Sequence, residues 1–284
     1  MLIFQYHFVI LALILCVILT GIHTYLGYHV VRRGVIFVDL SLAQVAALGA
    51  SVGILLGFGA DTYPVQNYLI SLSFTFLGAI LFVLFRKIHD KVPVEAFIGI
   101  TYAAAIALSL LVLEKSATGT EDIKEMLTGT ILTVSPKELG FIAILYSLIG
   151  VIHWLSRKKL LLVTEDFELA QKKGLKIWWW DFVFYATFGF VVTSSVKVAG
   201  VLLVFAFLTI PTVSAIIATS GTTQSLIFGW IFGLAGCIGG LELSLRLDWS
   251  AAPTIITVYL ILLIITLAIK KVHVLMCKKR CGDN

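Results

Sequence analysis

Long apolar stretches follow one another along this chain, and short segments rich in charge, glycine, proline or asparagine separate them. Because hydrocarbon offers no partner to free backbone groups, stretches of about 20 apolar residues without alternation are typical of membrane-spanning helices. The pattern predicts spans near residues 7–27, 35–58, 66–86, 94–113, 138–155, 178–196, 198–218, 223–244 and 252–269. The sixth and seventh stretches are separated only by a short polar segment around residues 194–197. The number of spans is therefore expected to be eight or nine.

Composition agrees with a chain that is embedded in lipid. Of the 284 residues, 60% are hydrophobic and 13% are charged, whereas soluble domains carry about 25% charged residues. We therefore expect an all-α integral membrane protein in which residues 1–284 form a single transmembrane domain. Two arginines, rather than a cleavage site, follow the first stretch, so we interpret it as a span and not as a signal peptide.

The distribution of Lys and Arg predicts the orientation of the chain. If the N-terminus lies outside, sixteen of the 21 cations fall on the cytoplasmic side and five on the outer side. Cytoplasmic loops carry such an excess, so the loop at 156–177 and the basic tail at 270–284 are predicted to be cytoplasmic. The net charge of +5 is thus a topology signal, and no clustered basic surface for nucleic acid is present in the sequence.

Small residues and one proline indicate where the helices pack and bend. Gly49 and Gly53 recur at a spacing of four in the second stretch, which favours close approach of a neighbouring helix in lipid. Pro211 lies inside the seventh stretch, where it removes a backbone hydrogen bond and is expected to kink the helix. Gly200 lies near the start of the same stretch, and we take Gly200 and Pro211 as candidate hinge positions.

The loop between the fifth and sixth stretches has the pattern of a short amphipathic helix at about 164–175. Thr164 is a plausible N-cap, acidic residues occupy the first turn, lysines occupy the last turn, and Gly174 ends the helix. Phe167 and Ala170 belong to its apolar side. A capped surface helix without a further role is the alternative interpretation.

This loop and four other segments carry a family resemblance. Glu168, Ala170 and Gly174 resemble the Glu-x-Ala-x-x-x-Gly motif in the coupling helix of ATP-binding-cassette (ABC) importers. The other four resemble, in the same order, segments of the zinc and manganese permease family of ABC importers. They are Arg32-Arg33-Gly34 ahead of Asp39, residues 127–136, residues 196–204 running on to Pro211, and residues 252–255.

The resemblance implies the permease subunit of an ATP-driven importer for a divalent transition metal ion such as zinc, manganese or iron. It implies a homodimeric pore, a separate ABC ATPase that contacts Phe167, Glu168, Ala170 and Gly174, and an extracytoplasmic metal-binding protein. The expected location is the cytoplasmic membrane of a bacterium or archaeon. Because the chain has no Gly-x-x-x-x-Gly-Lys-Ser/Thr loop, we expect ATP to be hydrolysed by the partner; this chain is then not an enzyme and has no permanently bound cofactor.

The ion site of the family usually uses an Asp and a His in an Asp-x-x-x-His pattern on the second span. This sequence departs from that pattern. Gln44 stands in place of the imidazole, Leu40 stands at the Asp position, and Asp39 comes one residue earlier. Asp39 and Gln44 are five residues apart, or about 140° around a helix. They remain the candidate residues of the ion pathway, and their oxygen donors suit manganese better than zinc. The alternative for Asp39 is an interfacial ion pair with Arg32 or Arg33.

Three further alternatives stay open from the sequence. An ABC permease for a metal chelate or siderophore would use the same coupling helix. A secondary transporter would carry inverted repeats, and no clear repeat is visible in the sequence. His273, Cys277 and Cys281 share one face of a helix in the tail and could form a soft-metal site, although flanking cations oppose it.

Overall fold

The computed structural model describes residues 7–59, 62–86, 92–114, 129 and 131–282, with side chains described from residue 8 to residue 272 except Arg86. Within these ranges every regular element is helical. The α-helices are α1 (His7–Arg32), α2 (Val38–Leu55), α3 (Pro64–Arg86), α4 (Val94–Leu113), α5 (Pro136–Glu165), α6 (Phe167–Lys172), α7 (Ile177–Ala199), α8 (Val201–Ala218), α9 (Thr222–Leu247) and α10 (Ala251–Gly282), and one 3₁₀ turn spans Ile131–Thr133.

Nine of these helices, all except α6, are long and apolar enough to cross a bilayer. The prediction of an all-α membrane bundle is confirmed, and the part of the chain that the structure describes contains nine candidate spans rather than eight. The sixth and seventh spans part at Gly200, which has a φ of 75°, a conformation that a residue with a Cβ rarely adopts. We expected the break at 194–197, but α7 continues through this stretch, where the Ser194 and Ser195 hydroxyls donate to carbonyls of their own helix.

The contacts divide the chain into two compact units. Unit A comprises residues 1–31, 131–139 and 206–284, and unit B comprises residues 32–130 and 140–205. The interpretation of residues 1–284 as one permease domain stays a prediction.

Unit A is packed through the glycines of α9. A Cβ at Gly233 would overlap the methyl group of Thr20, and a Cβ at Gly236 would overlap the ring of Tyr259. The absence of side chains at these two positions lets α1 and α10 approach the α9 backbone, as small residues do in lipid. Helix α8 continues through Pro211, which also lies against α9, so its role as a hinge stays a prediction.

Unit B is built around α2, which contacts α3, α4 and α7. A Cβ at Gly49 would lie 2.8 Å from the Ser71 Cα, and one at Gly53 would lie 2.7 Å from the Asn67 Nδ2 atom. The Ser71 hydroxyl donates to the Ala46 carbonyl at 2.7 Å, and the Asn67 amide donates to the Ala50 carbonyl at 3.0 Å. Backbone approach and interhelical hydrogen bonds therefore hold α3 on the glycine side of α2.

Candidate coupling site and ion pathway

The short helix α6 begins later than its sequence predicts. Thr164 is not its N-cap, because α5 continues through Thr164 and the Thr164 hydroxyl accepts a hydrogen bond from the Arg33 Nε at 3.0 Å. Asp166 is the N-cap instead, and its carboxylate accepts from the Leu169 N–H at 2.9 Å. A single residue therefore joins α5 to α6, so the two helices cannot move far apart.

The C-terminal end of α6 is closed by Gly174. The N–H of Gly174 donates to the Gln171 carbonyl at 2.9 Å, and the N–H of Leu175 donates to the Ala170 carbonyl at 3.1 Å. This pair of bonds is a Schellman motif, which requires a left-handed residue where Gly174 has a φ of 73°. The sequence thus stops α6 after two turns and directs the chain towards α7.

The four residues predicted to contact an ATPase differ in exposure. The Glu168 side chain is 85% exposed and lies 3.9 Å from the Lys172 ammonium, an exposed pair that contributes little stability. Phe167 is 37% exposed, and a Cβ at Gly174 would meet no atom within 4 Å. Ala170 is completely buried, so its small side chain packs inside this chain and does not touch a partner in this conformation.

Arg33, in the turn between α1 and α2, is bound to the helices on both sides of α6. Its Nη1 donates to the Asp181 carboxylate on α7 at 2.9 Å, in addition to the bond from Nε to Thr164 on α5. Both side chains of this ion pair are 2% exposed, and the guanidinium lies 4.2 Å from the centre of the Phe184 ring. A buried pair of this kind persists only when hydrogen bonds offset its desolvation.

Asp181 was missed by the sequence interpretation, because it lies inside an apolar stretch whose hydropathy dominates the pattern. A carboxylate within a predicted span was the available signal, since such residues are costly in lipid unless they have a partner. Its partner, Arg33, is 148 residues away along the chain, so spacing gives no indication of the pair.

A cleft of about 340 Å³ in unit B lies between α6 and the residues around Arg33. Glu95, at the start of α4, accepts a hydrogen bond from the Ile36 N–H at 3.3 Å and is one of its lining residues. The lining residues come from the α1–α2 turn, the start of α4, α6 and α7, and they are Arg33, Gly34, Val35, Pro93, Val94, Glu95, Phe167 and Tyr185.

Asp39 lies in the first turn of α2 and is 1% exposed. Neither oxygen of its carboxylate has a hydrogen-bond partner among the described residues, and the nearby Ser41 hydroxyl also lacks one. The alternative of an ion pair between Asp39 and Arg32 or Arg33 is therefore not seen among the described residues, and Arg33 binds Asp181 instead. Gln44, on the same helix, is 3% exposed. No cluster of three or more His, Cys, Asp or Glu side chains that could hold a metal occurs in the ranges that the structure covers.

Two of the segments that carry the family resemblance meet in unit B. Gly129 has a φ of 64° and lies so close to the Ala199–Gly200 peptide that a Cβ would overlap it. Residues 127, 128 and 130 of that segment, and the side chains of His273, Cys277 and Cys281, lie outside the described residues.

The comparison that decides the family covers nearly the whole chain. The model of a family described as the ABC 3 transport family matches residues 5–270. This chain belongs to the ABC 3 transport family. The family resemblance that the sequence motifs indicated is therefore confirmed, and the chain is a multi-pass membrane protein of an ABC transporter family.

Relatives of this ABC 3 transport family member align with it over most of their length. The manganese transport system membrane protein MntC of Listeria monocytogenes is 23% identical over 277 residues, which cover 97% of this chain and 96% of MntC. The high-affinity zinc uptake system membrane protein ZnuB of Haemophilus influenzae is 27% identical over 263 residues, which cover 90% and 95%. The two relatives are named for different ions, so similarity to them does not select one ion for this chain.

The solved structure of PsaBC from Streptococcus pneumoniae in complex with Fab has the same fold. It superposes with a TM-score of 0.78 at 19% identity and covers 93% of this chain and 92% of the PsaBC chain. The helix order of this ABC 3 transport family member is therefore shared with a solved structure.

Proposed function

We propose that this chain is the permease subunit of an ATP-driven importer for a divalent transition metal ion. Membership of the ABC 3 transport family and the relatives named for manganese and zinc transport support this proposal. The structural observation that carries it is α6, a helix of 6 residues capped at both ends between two spans, with Glu168 directed into solvent. Such a helix is too short to span a membrane and suits a docking role.

The partners follow from this role. An ABC ATPase docks on α6, because the chain itself has no nucleotide-binding motif and the excess of Lys and Arg predicts a cytoplasmic location for this helix. Two copies of the chain form the pore, and an extracytoplasmic metal-binding protein delivers the ion. The location is a bacterial cytoplasmic membrane, in agreement with the bacterial relatives.

The ion pathway runs past Asp39 and Gln44 on α2. A buried carboxylate without a partner is unstable unless a cation or water reaches it, and an imported divalent cation meets this requirement. Carboxylate and amide oxygens are harder ligands than the imidazole that Gln44 replaces. The cargo is therefore manganese in preference to zinc.

The metal content of cells tests this function. Cells that lack the chain should contain less manganese or zinc by elemental analysis, and the wild-type chain should restore the content. Glu168→Ala should not restore it and should co-purify with less ATPase, because it removes the exposed carboxylate of α6. Lys173→Ala, a change of an exposed residue directly after α6, is the control and should behave as the wild type.

Two outcomes would contradict this assignment. Full rescue by Glu168→Ala, with normal co-purification of the ATPase, would exclude the coupling role of Glu168. If the wild-type chain restores the metal content only when the metal is supplied as a chelate, that result would instead favour a chelate permease.

A further inference from the structure

Arg33 connects three segments that are distant in sequence. Thr164 lies in the last turn of α5, two residues ahead of the N-cap of α6, and Asp181 lies in the second turn of α7. The Arg33 guanidinium donates to both of them, at 3.0 and 2.9 Å. Arg33 therefore bridges the helices that enter and leave α6 close to α6 itself, in addition to the bonds that His153 and Tyr146 of α5 make to Thr187 and Ser195 of α7. Arg33 itself belongs to the turn before α2.

The links from α6 to these two helices are short. Asp166 alone separates α5 from α6, and its N–H donates to the Leu162 carbonyl of α5 at 3.0 Å. Residues 173–176 separate α6 from α7. Because consecutive Cα atoms are held about 3.8 Å apart, the one-residue link ties α6 closely to the end of α5, and the four-residue link limits how far α6 can move from α7.

The link from Arg33 to α2 is equally short. The Val38 N–H donates to the Val35 carbonyl at 3.1 Å, and the Ile36 N–H donates to the Glu95 carboxylate, so the turn has a defined shape. Asp39 is the second residue of α2. A movement of the Arg33 guanidinium therefore reaches the helix end that carries the unpartnered carboxylate.

The chemistry of Arg33 suits this connection. A guanidinium offers donors in a fixed plane, so it can bind a hydroxyl and a carboxylate at once while its face packs on Phe184. A lysine ammonium at this position is a single point charge and would not keep both bonds and the ring contact. With 2% of each side chain exposed, water does not compete for the ion pair.

We propose that Arg33 is the positioning residue through which the ATP-driven movement of α6 reaches α2 and the ion pathway. The proposal rests on the proposed function, since it needs an ATPase to move α6. It adds that Thr164 and Asp181 are the two contacts that transmit the movement, one on each side of α6. Without them, ATP hydrolysis continues but no longer drives transport efficiently.

The ratio of ions imported to ATP hydrolysed tests this role. The complete transporter, with its ATPase and binding protein, is reconstituted in vesicles, and manganese uptake and ATP hydrolysis are measured on the same sample. Thr164→Val removes one acceptor of Arg33 and keeps the ion pair. Thr101→Val is the control, since among the described residues the Thr101 hydroxyl bonds to the Phe97 carbonyl of its own helix and to no other helix.

We expect Thr164→Val to lower the ratio by about tenfold, the factor that corresponds to one hydrogen bond to a charged group. Arg33→Lys should lower the ratio as well, and Thr101→Val should leave it unchanged. Arg33→Met combined with Asp181→Met removes both buried charges, so it avoids an unpaired one and should assemble while showing the same uncoupling.

A merely structural role gives a different result. Assembly, hydrolysis and uptake would then fall together, and the ratio of ions to ATP would stay at the wild-type value in all variants that assemble. That result would overturn the role of Arg33 while leaving the proposed function intact. A wild-type transporter without ATP-dependent uptake would instead exclude the proposed function itself.

Discussion

Asp39 combines almost complete burial with a carboxylate that has no hydrogen-bond partner in the described part of the chain. Asp181 is equally buried but is bound to Arg33. Both residues are buried aspartates, but among the described residues only Asp181 has a cationic side chain as its partner. An uncompensated buried charge costs several kcal/mol, so Asp39 is the residue of α2 that an imported cation would stabilise.

Asparagine at position 39 and asparagine at position 181 should therefore affect thermal stability differently. Asp39→Asn replaces a buried carboxyl group that has no partner among the described residues, so we expect equal or higher thermal stability of the purified permease together with loss of manganese uptake. Asp181→Asn leaves the buried Arg33 guanidinium uncompensated and should cost about 3–5 kcal/mol. Thermal unfolding in detergent and uptake in vesicles measure the two effects. Normal uptake by Asp39→Asn would remove Asp39 from the ion pathway.

At the scale of elements, α6 shows what local sequence can and cannot predict. The stop at Gly174 was predictable, because a glycine after a helical turn favours the left-handed conformation that the Schellman motif needs. The start was not, because Thr164 and Asp166 are both good N-cap residues. The choice between them is made by Arg33, 131 residues from Thr164, which takes the Thr164 hydroxyl as its acceptor.

The spans show the same division between local and distant causes. Apolar stretches predicted the helices because the bilayer imposes one length and one hydropathy on each of them. The predicted break between α7 and α8 was misplaced. The two serines at 194 and 195 indicated a loop, but in the structure their hydroxyls bond within helix α7. Asp181 gave a signal in its own stretch, but its ion pair with Arg33 became visible only in the structure.

The C-terminal cap of α6 gives a test at this scale. Gly174→Ala places a Cβ on a residue with a φ of 73°, a conformation that costs an L-residue about 1–2 kcal/mol, and should weaken ATPase binding by shifting the exit from α6. Gly140→Ala is the matched control, because Gly140 also has open space around it but lies within helix α5. Pull-down of the ATPase by the permease measures the effect, and equal recovery with both variants would contradict it.

At the scale of the molecule, the described spans form two units that each use small residues to pack helices closely. In unit B this packing places α2 among three other helices, and the contacts at one end of α2 lead through Arg33 to both neighbours of α6. The proposed docking helix and the proposed ion pathway thus belong to one compact unit. This arrangement suits a transporter in which an ATPase acts on one helix and the ion passes another.

ATP-dependent manganese uptake by the reconstituted transporter is the decisive measurement of the proposed import function. Vesicles that contain the permease, its ATPase and its metal-binding protein receive ATP on the ATPase side, and a non-hydrolysable analogue is the control. We expect manganese to accumulate with ATP, not to accumulate with the analogue, and uptake to be lost when the ATPase is omitted. Equal accumulation without the ATPase, driven by an ion gradient, would show instead that the chain is a secondary carrier.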